Sequence, residues 1–259
     1  MPDNPTPLPS AFASSHSMRE NYSKFGVERY YENVAHSYRN PHSEGVRKVL
    51  FNWMDKWLAH DPSLQPETAL TLTVLDMAAG SGEVTEALDL WTARRAQPTR
   101  RKGPPLPKQQ QQQQQQQEKQ QQQDQPFPIS ISITATDPFT APAYTARTSR
   151  ACLPLSFTDI ANGMLPTADP PIVYDLVVCS FALHLLSDPS EIFSLLWELS
   201  SRARWLLIIA PGKQPVIKEG WGWAQWDVNR WCEARGNDKA EIVEERCRGR
   251  VFKSANHFS

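Results

Sequence analysis

The sequence predicts a doubly wound α/β fold, in which a mostly parallel sheet of seven strands is wrapped by helices on both faces. Three observations point to it. Short runs rich in Val, Ile, Leu and Thr, such as IVYDLVVCS (172–180) and WLLIIA (205–210), read as strands buried on both faces. These runs alternate with helical stretches, which is the pattern of a parallel sheet with crossover helices. The chain, at 259 residues with 40% hydrophobic side chains, has room for one sizeable domain of this kind.

The elements follow in order. Residues 1–18, with four prolines among the first nine, have little to bury and read as a disordered tail. A single domain over 19–259 is expected to follow. Its first part, 22–60, reads as a helical cap of two amphipathic helices broken at Asn40-Pro41, with Val34, Val49, Leu50, Trp53, Met54, Trp57 and Leu58 at helical spacings. ALTLTVLDM (69–77) reads as a buried strand, and residues 78–82 turn the chain into the helix EVTEALDLWTARR. Over 96–125 the composition changes to Pro, Arg and Lys and then to Gln, with 14 glutamines among residues 109–125, so this stretch is a low-complexity insertion outside the core. ISISITATD (129–137) and CLPLSFTDI (152–160) are the next strands. IVYDLVVCS leads to a helix opened by Ser187-Asp188-Pro189, where a capping residue precedes a proline suited to the first turn. After WLLIIA a helix is expected over 225–234, then strands over 242–246 and 250–254.

Composition limits what such a domain can do. A net charge of -1 argues against holding polyanions through a globally basic surface. Four cysteines without CxxC spacing argue against a disulfide scaffold or structural zinc, and favour a reducing compartment, cytoplasmic or nuclear. No apolar run is long enough to span a bilayer, and the start lacks the basic-then-apolar order of a signal peptide, so membrane insertion and secretion are not expected. Residues 94–108 carry six basic side chains and no acidic one, which fits a nuclear-import or RNA-contacting patch and equally a solvated loop.

In a doubly wound sheet, ligands bind beyond the carboxyl ends of the strands. Four strand ends carry informative residues. At VLDMAAGSGEVTEAL, Asp76 closes a strand, Gly80 and Gly82 free the backbone for close approach to a ligand, and Glu83 opens a helix. The second end is Asp137, 55 positions past Gly82; with the low-complexity stretch looped out, about 20 remain, the spacing at which an acidic residue meets ribose hydroxyls. The alternative is that Asp137 only begins an Asp-Pro turn. The third is SFTDIANGMLP and the fourth YDLVVCSFALHLL.

Taken together, these segments resemble the class I S-adenosylmethionine-dependent methyltransferases over residues 72–210. The run hydrophobic-hydrophobic-Asp-x-Ala-Ala-Gly-Ser-Gly is similar to that family's motif I, except that Ala78 stands where the family has glycine, a change that a turn with negative φ tolerates. The resemblance implies S-adenosylmethionine as cofactor, with Asp76, Ala78, Gly80, Ser81 and Gly82 in its first loop and Asp137 at the ribose. It further implies Asp159 and the Ile160 amide at the adenine, and Cys179, Ser180 and Phe181 at the methionine moiety. A capping role in a loop is the alternative for Asp159. No metal is implied.

His184, one turn past Ser180, is the candidate general base, with an ordinary pKa near 6.5 suited to taking a proton from a hydroxyl or amine. A packing histidine at a helix start is the alternative, and alignment alone can drive an in-line methyl transfer. The run NYSKFGVERYYENVAHSYRNPHSEGVR resembles the family's helical caps, from which Tyr30, Tyr31, Tyr38, Arg39 and His42 can reach the cofactor or the acceptor, or simply pack. GWGWAQWDVNRW holds four of nine tryptophans and reads as an aromatic lid, a docking face or plain core. Residues 180–183 read Ser-Phe-Ala-Leu in place of the Asn/Asp-Pro-Pro-aromatic run of enzymes that methylate amino groups of bases or glutamine. The implied reaction is methyl transfer to a small metabolite. An RNA or protein acceptor recruited through 94–108 is the second reading, and a non-catalytic binding or scaffold protein the third.

Overall fold

The computed structural model describes residues 39–64, 69–96, 127–168, 171–236 and 240–256. The tail, the first cap helix and the insertion expected from the sequence lie outside the described residues, apart from the insertion's first residue, Ala96. Helix α1 (Ser43–His60) opens the described chain, followed by a single 3-10 turn at Pro62–Leu64. Then come β1 (Leu70–Met77), α2 (Glu83–Ala96), β2 (Ile129–Thr136), α3 (Ala141–Thr148), the short α4 (Phe157–Ala161) and β3 (Tyr174–Ser180). A 3-10 turn at Leu183–Leu185 leads to α5 (Pro189–Arg202) and β4 (Ala203–Ala210). The remainder is β5 (Trp223–Asp227), β6 (Cys232–Glu233), β7 (Glu241–Glu244) and β8 (Cys247–Ser254).

These strands form one mixed sheet in the order β2-β1-β3-β4-β8-β5-β6, with β7 also paired to β8. The four strands from β2 to β4 are parallel, and β8 enters antiparallel beside β4. The side-chain period of two divides each central strand between two cores. Leu176, Val178, Leu207 and Ile209 join α1 and α2 on one face, while Val177, Cys179, Leu206 and Ile208 join Ile160 of α4 and Leu195, Leu196 and Leu199 of α5 on the other. Helices therefore cover both faces, as the run of apolar residues on these strands requires.

The helices show why their sequences fold as they do. In α1, Val46, Val49, Leu50, Trp53, Met54 and Trp57 recur at spacings of three and four and are all buried. Trp91 of α2 is buried too, and its indole N–H donates to Asp55 Oδ1 at 2.8 Å, tying α2 to α1. Asp188 caps α5 by accepting from the Ser190 amide at 2.8 Å, and Pro189 is the first helical residue, as the sequence predicted.

Three expectations are corrected. The strand expected over 152–160 shrinks to a bridge between Thr136 and Leu153, because Ser156 and Asp159 form a capping box that starts α4. The helix expected over 225–234 is instead the pair β5 and β6, antiparallel across Trp226 and Glu233. Here tertiary pairing wins over local periodicity: β5 lies against β8 with Trp226 opposite Val251, and Asp227 closes the turn by accepting from the amides of Asn229 at 2.8 Å and Arg230 at 3.2 Å. The sheet accordingly has eight strands where seven were expected. The two final strands are present, joined by Glu245 and Arg246, both at positive φ, as a two-residue hairpin turn demands.

Candidate functional site

β1 is the first strand, β2 lies on one side of it and β3 on the other, so the chain reverses direction across the sheet at β1. Ligands of doubly wound sheets sit at such a switch, beyond the carboxyl ends of the strands. A cleft of about 290 Å³ lies there, at the lower end of the range for small-molecule pockets. The β1 loop lines it with Ala78 and Gly80, the β2 loop with Asp137, Pro138 and Phe139, and the β3 loop with Ser180, Phe181, Ala182, Leu185 and Leu186. Leu155 and the start of α4, Ser156, Phe157 and Thr158, complete the wall.

The β1 and β2 loops are held together through one glycine. The Gly80 amide donates to Asp137 Oδ2 at 3.0 Å, and the Gly80 carbonyl accepts from Thr140 Oγ1 at 2.9 Å. Asp137 Oδ1 meanwhile accepts from the amides of Phe139 at 2.9 Å and Thr140 at 2.7 Å. Asp137 thus shapes its Asp-Pro turn and also faces the cleft. A carboxylate offers about four lone-pair sites, and three backbone donors leave capacity for a ligand hydroxyl.

Ala78 sits at φ 55°, in the left-handed region, and this overturns the expectation of negative φ at that position. Gly80, at φ 59°, lines the cleft as expected, but Gly82 does not. A Cβ on Gly82 would lie 2.5 Å from Thr148 Cγ2, so this glycine serves the approach of α2 to α3.

Other candidates lie behind the wall. Asp76 is buried, with Oδ2 accepting from Thr85 Oγ1 at 2.7 Å and Oδ1 lacking a partner among the described residues. Burial pushes its carboxyl up to about 7; the Thr85 hydroxyl opposes the rise, and the carboxylates of Glu83 and Asp137 add to it. Ser81 is buried as well and donates to Glu83 Oε1 at 2.6 Å. Cys179 is fully buried, and burial pushes its thiol up to about 12, so it is inert packing below the cleft, while Ser180 beside it lines the wall.

The adenine pair expected from the resemblance is otherwise engaged. Asp159 Oδ2 accepts from the Ser156 amide at 2.9 Å and its hydroxyl at 2.7 Å, and these bonds hold the carboxyl below the usual carboxylate range. The Ile160 amide donates to the Ser156 carbonyl at 3.1 Å, and its side chain is buried. Neither residue lines the cleft, and their neighbours Ser156, Phe157 and Thr158 do. The signal that locates this helix start is the Ser-x-x-Asp spacing in SFTDI.

His184 is also set back. Ala182, Leu185 and Leu186 line the cleft around it, whereas His184 does not, and its Nδ1 is buried with no hydrogen-bond partner among the described residues. Burial lowers its pKa below 6.5. Of the cap residues singled out, Tyr30, Tyr31 and Tyr38 lie outside the described residues and Arg39 is exposed. His42 stacks on Phe181 with ring centroids 4.9 Å apart and planes 7° from parallel.

The tryptophans of 221–231 do not line the cleft. Trp226 and Trp231 pack with Trp53 and Trp205, at centroid distances of 5.2 to 6.2 Å within the group. Trp223 is buried and donates to the Leu196 carbonyl at 2.8 Å. Each such indole removes roughly 150–250 Å² of surface from water, so packing accounts for these three.

Among curated proteins, the chain is 38% identical over 251 residues to "Uncharacterized protein C17A5.05c" of Schizosaccharomyces pombe, an alignment covering 96% of this chain and 97% of that one. No family model matches. Among solved structures it overlaps magnesium protoporphyrin IX methyltransferase (ChlM) from Synechocystis PCC 6803, determined with bound SAM, at TM-score 0.42 and 14% identity, over 91% of this chain and 93% of that one. N-methyltransferase NodS from Bradyrhizobium japonicum WM9, in complex with S-adenosyl-L-homocysteine, overlaps at TM-score 0.39 and 11% identity, over 91% and 97%. The bifunctional kinase-methyltransferase WbdD overlaps at TM-score 0.43 and 11% identity, over 85% of this chain, which spans only 40% of WbdD. Overlaps of that size do not carry the neighbours' activities over to this chain.

Proposed function

Because the chain belongs to the same family as the Schizosaccharomyces pombe protein and has the doubly wound fold of class I methyltransferases, we infer that it is an S-adenosylmethionine-dependent methyltransferase acting on a small molecule. One observation carries the reading. The loops after β1, β2 and β3 close around a single cleft at the point where the strand order reverses, with the Gly80 backbone and the Asp137 carboxylate on its wall.

The residues present fit the cofactor. Gly80, with no side chain and a left-handed backbone, lets a ligand approach the chain closely. Asp137 keeps lone pairs for ribose hydroxyls, while Phe139, Leu155 and Phe157 supply apolar walls for a flat base. When bound, S-adenosylmethionine supplies an electrophilic methyl group on a sulfonium. The chain's own contribution is to orient donor and acceptor and exclude water, and in-line displacement gains much of its acceleration from that alignment. The apolar Phe181, Ala182, Leu185 and Leu186 on the β3 side support this role. His184, set behind these residues, is the base only if the wall opens to it.

A small acceptor suits a cleft of about 290 Å³. Four free cysteines support a reducing compartment, cytoplasmic or nuclear, and no described helix is long and apolar enough to cross a membrane. The test is calorimetric titration with S-adenosylhomocysteine. Wild type is expected to bind, and Gly80→Val, which puts a branched side chain into the cleft on a left-handed backbone, is expected to lose binding. Equal affinity for the two proteins would refute the site. Labelled S-adenosylmethionine incubated with cell extract then tells a small-molecule acceptor from RNA or protein, and absence of transfer despite binding favours a scaffold.

A further inference from the structure

We propose that His42 is a positioning residue for the cleft, holding Phe181 in place and coupling the seating of the chain ahead of α1 to cofactor binding. The inference rests on reading the cleft as the S-adenosylmethionine site. Its starting point is Phe181, which lines the cleft and whose backbone lies at φ 55°, an outlier for a bulky side chain. Such a conformation persists only where its surroundings over-determine it. From the sheet side, the Phe181 amide is fixed by the Ile209 carbonyl at 2.8 Å. On the ring side, the His42 imidazole lies nearly flat on the phenyl group, 4.9 Å between centroids.

His42 is itself held. Its amide donates to Asn40 Oδ1 at 2.9 Å, and its carbonyl accepts from the Val46 amide at 3.0 Å as the first bond into α1. Two residues earlier, the Asn40 amide donates at 3.0 Å to Glu83 Oε1, the same oxygen that takes the Ser81 hydroxyl at 2.6 Å and Arg147 Nη1 at 3.1 Å. Residues 40–42 therefore touch two of the three cleft loops, the β1 loop through Glu83 and Ser81 and the β3 loop through Phe181. A shift of this tripeptide moves both walls together. The apolar character of the β3 wall alone does not need an aromatic partner from outside the sheet, and the flat stack supplies one.

The experiment is titration with S-adenosylhomocysteine, alongside thermal unfolding without ligand, for wild type, His42→Ala, His42→Phe, Phe181→Ala and the 42/181 double alanine variant. An aromatic pair adds enough beyond simple burial that His42→Ala is expected to raise Kd about threefold to tenfold, with Tm lowered only slightly. His42→Phe, which keeps the stack, is expected to restore binding to within about twofold. The double variant should bind no worse than Phe181→Ala, because the two rings act as one unit. If His42→Ala does not fold, His42→Leu, which keeps apolar volume without a flat ring, takes its place in the comparison with His42→Phe. Unchanged Kd in the stack-deleting variant, or a fall in Tm with Kd intact, overturns the proposal and leaves His42 a fold residue. Failure of wild type to bind refutes the reading of the cleft and this inference with it.

Discussion

Replacing Asp76 by Asn should flatten the pH dependence of stability. Asp76 is 1% exposed, Oδ1 has no partner among the described residues, and burial pushes its carboxyl from 3.8 up to about 7. Below pH 3.8 the carboxyl is protonated in both the folded and unfolded chain. As pH rises from there, the unfolded carboxyl ionises while the folded one keeps its proton, so the unfolded state gains and stability falls until the folded group also ionises near pH 7. Each pH unit of this divergence amounts to about 1.4 kcal/mol, so the interval from 3.8 to about 7 corresponds to about 4 kcal/mol. The side chain is too buried for solvent to screen much of that. Asn keeps the shape and still accepts from Thr85, but it does not titrate. Its unpaired amide hydrogens add a penalty of about 1–3 kcal/mol that is the same at every pH. Urea unfolding of both proteins at intervals from pH 4 to 8 should therefore show the wild type losing about 4 kcal/mol relative to Asp76→Asn up to pH 7, then running parallel to it. Curves parallel throughout would show that Asp76 is already ionised in the folded chain at pH 5.

Two further outcomes follow from the strand-end loops. Ala78→Gly should raise stability by about 0.5–1 kcal/mol in urea unfolding, since relief of the left-handed strain outweighs the added freedom of the unfolded chain, and a loss of stability would contradict the φ of 55°. His184→Ala should leave turnover within about twofold at saturating cofactor, because a general base contributes about 10²- to 10⁴-fold only within reach of the reacting proton. With burial holding its pKa below 6.5, the wild type must charge a buried imidazole as pH falls below that value, so the variant should also lose less stability in acid. A collapse in turnover would restore His184 as the base.

Much of the framework was legible in the sequence. β1, β3 and β4 are runs with neighbours on both sides and β2 is an alternating Ile, Ser and Thr run at the sheet edge, and composition alone marks all four. The reach from Gly82 to Asp137 was recoverable because low-complexity sequence announces itself, leaving an ordinary spacing on either side. What escaped was settled by contacts distant in sequence or by single side chains. Trp223 and Trp226 fit a helix as well as a strand, and only the pairing of β5 with β8 decides. Asp159 carries a capping-box spacing that was visible, and its bonds to Ser156 start a helix where a strand was expected. Ala78 lies in a turn whose sign of φ no residue type reveals. The seat of His42 on Phe181 joins residues 139 positions apart, and periodicity carries no trace of it.

The position of β8 sets an order on synthesis. Its residues, 247–254, come after those of every other described strand, yet it stands between β4 and β5 and pairs with β7 as well. Until it emerges from the ribosome, β4 has an open flank and β5 and β7 have no partner in the main sheet, so the nascent chain carries a raw strand edge from the completion of β4 until β8 is added. A stop codon between the end of β4 at Ala210 and residue 247 would leave the cleft loops encoded in full but the sheet split behind them, and the product would be expected in inclusion bodies or with a chaperone. For the same reason, a split-protein version of this chain cut in the β7–β8 turn should reassemble only when the two fragments are expressed together, with the short β8 peptide acting as the missing wedge.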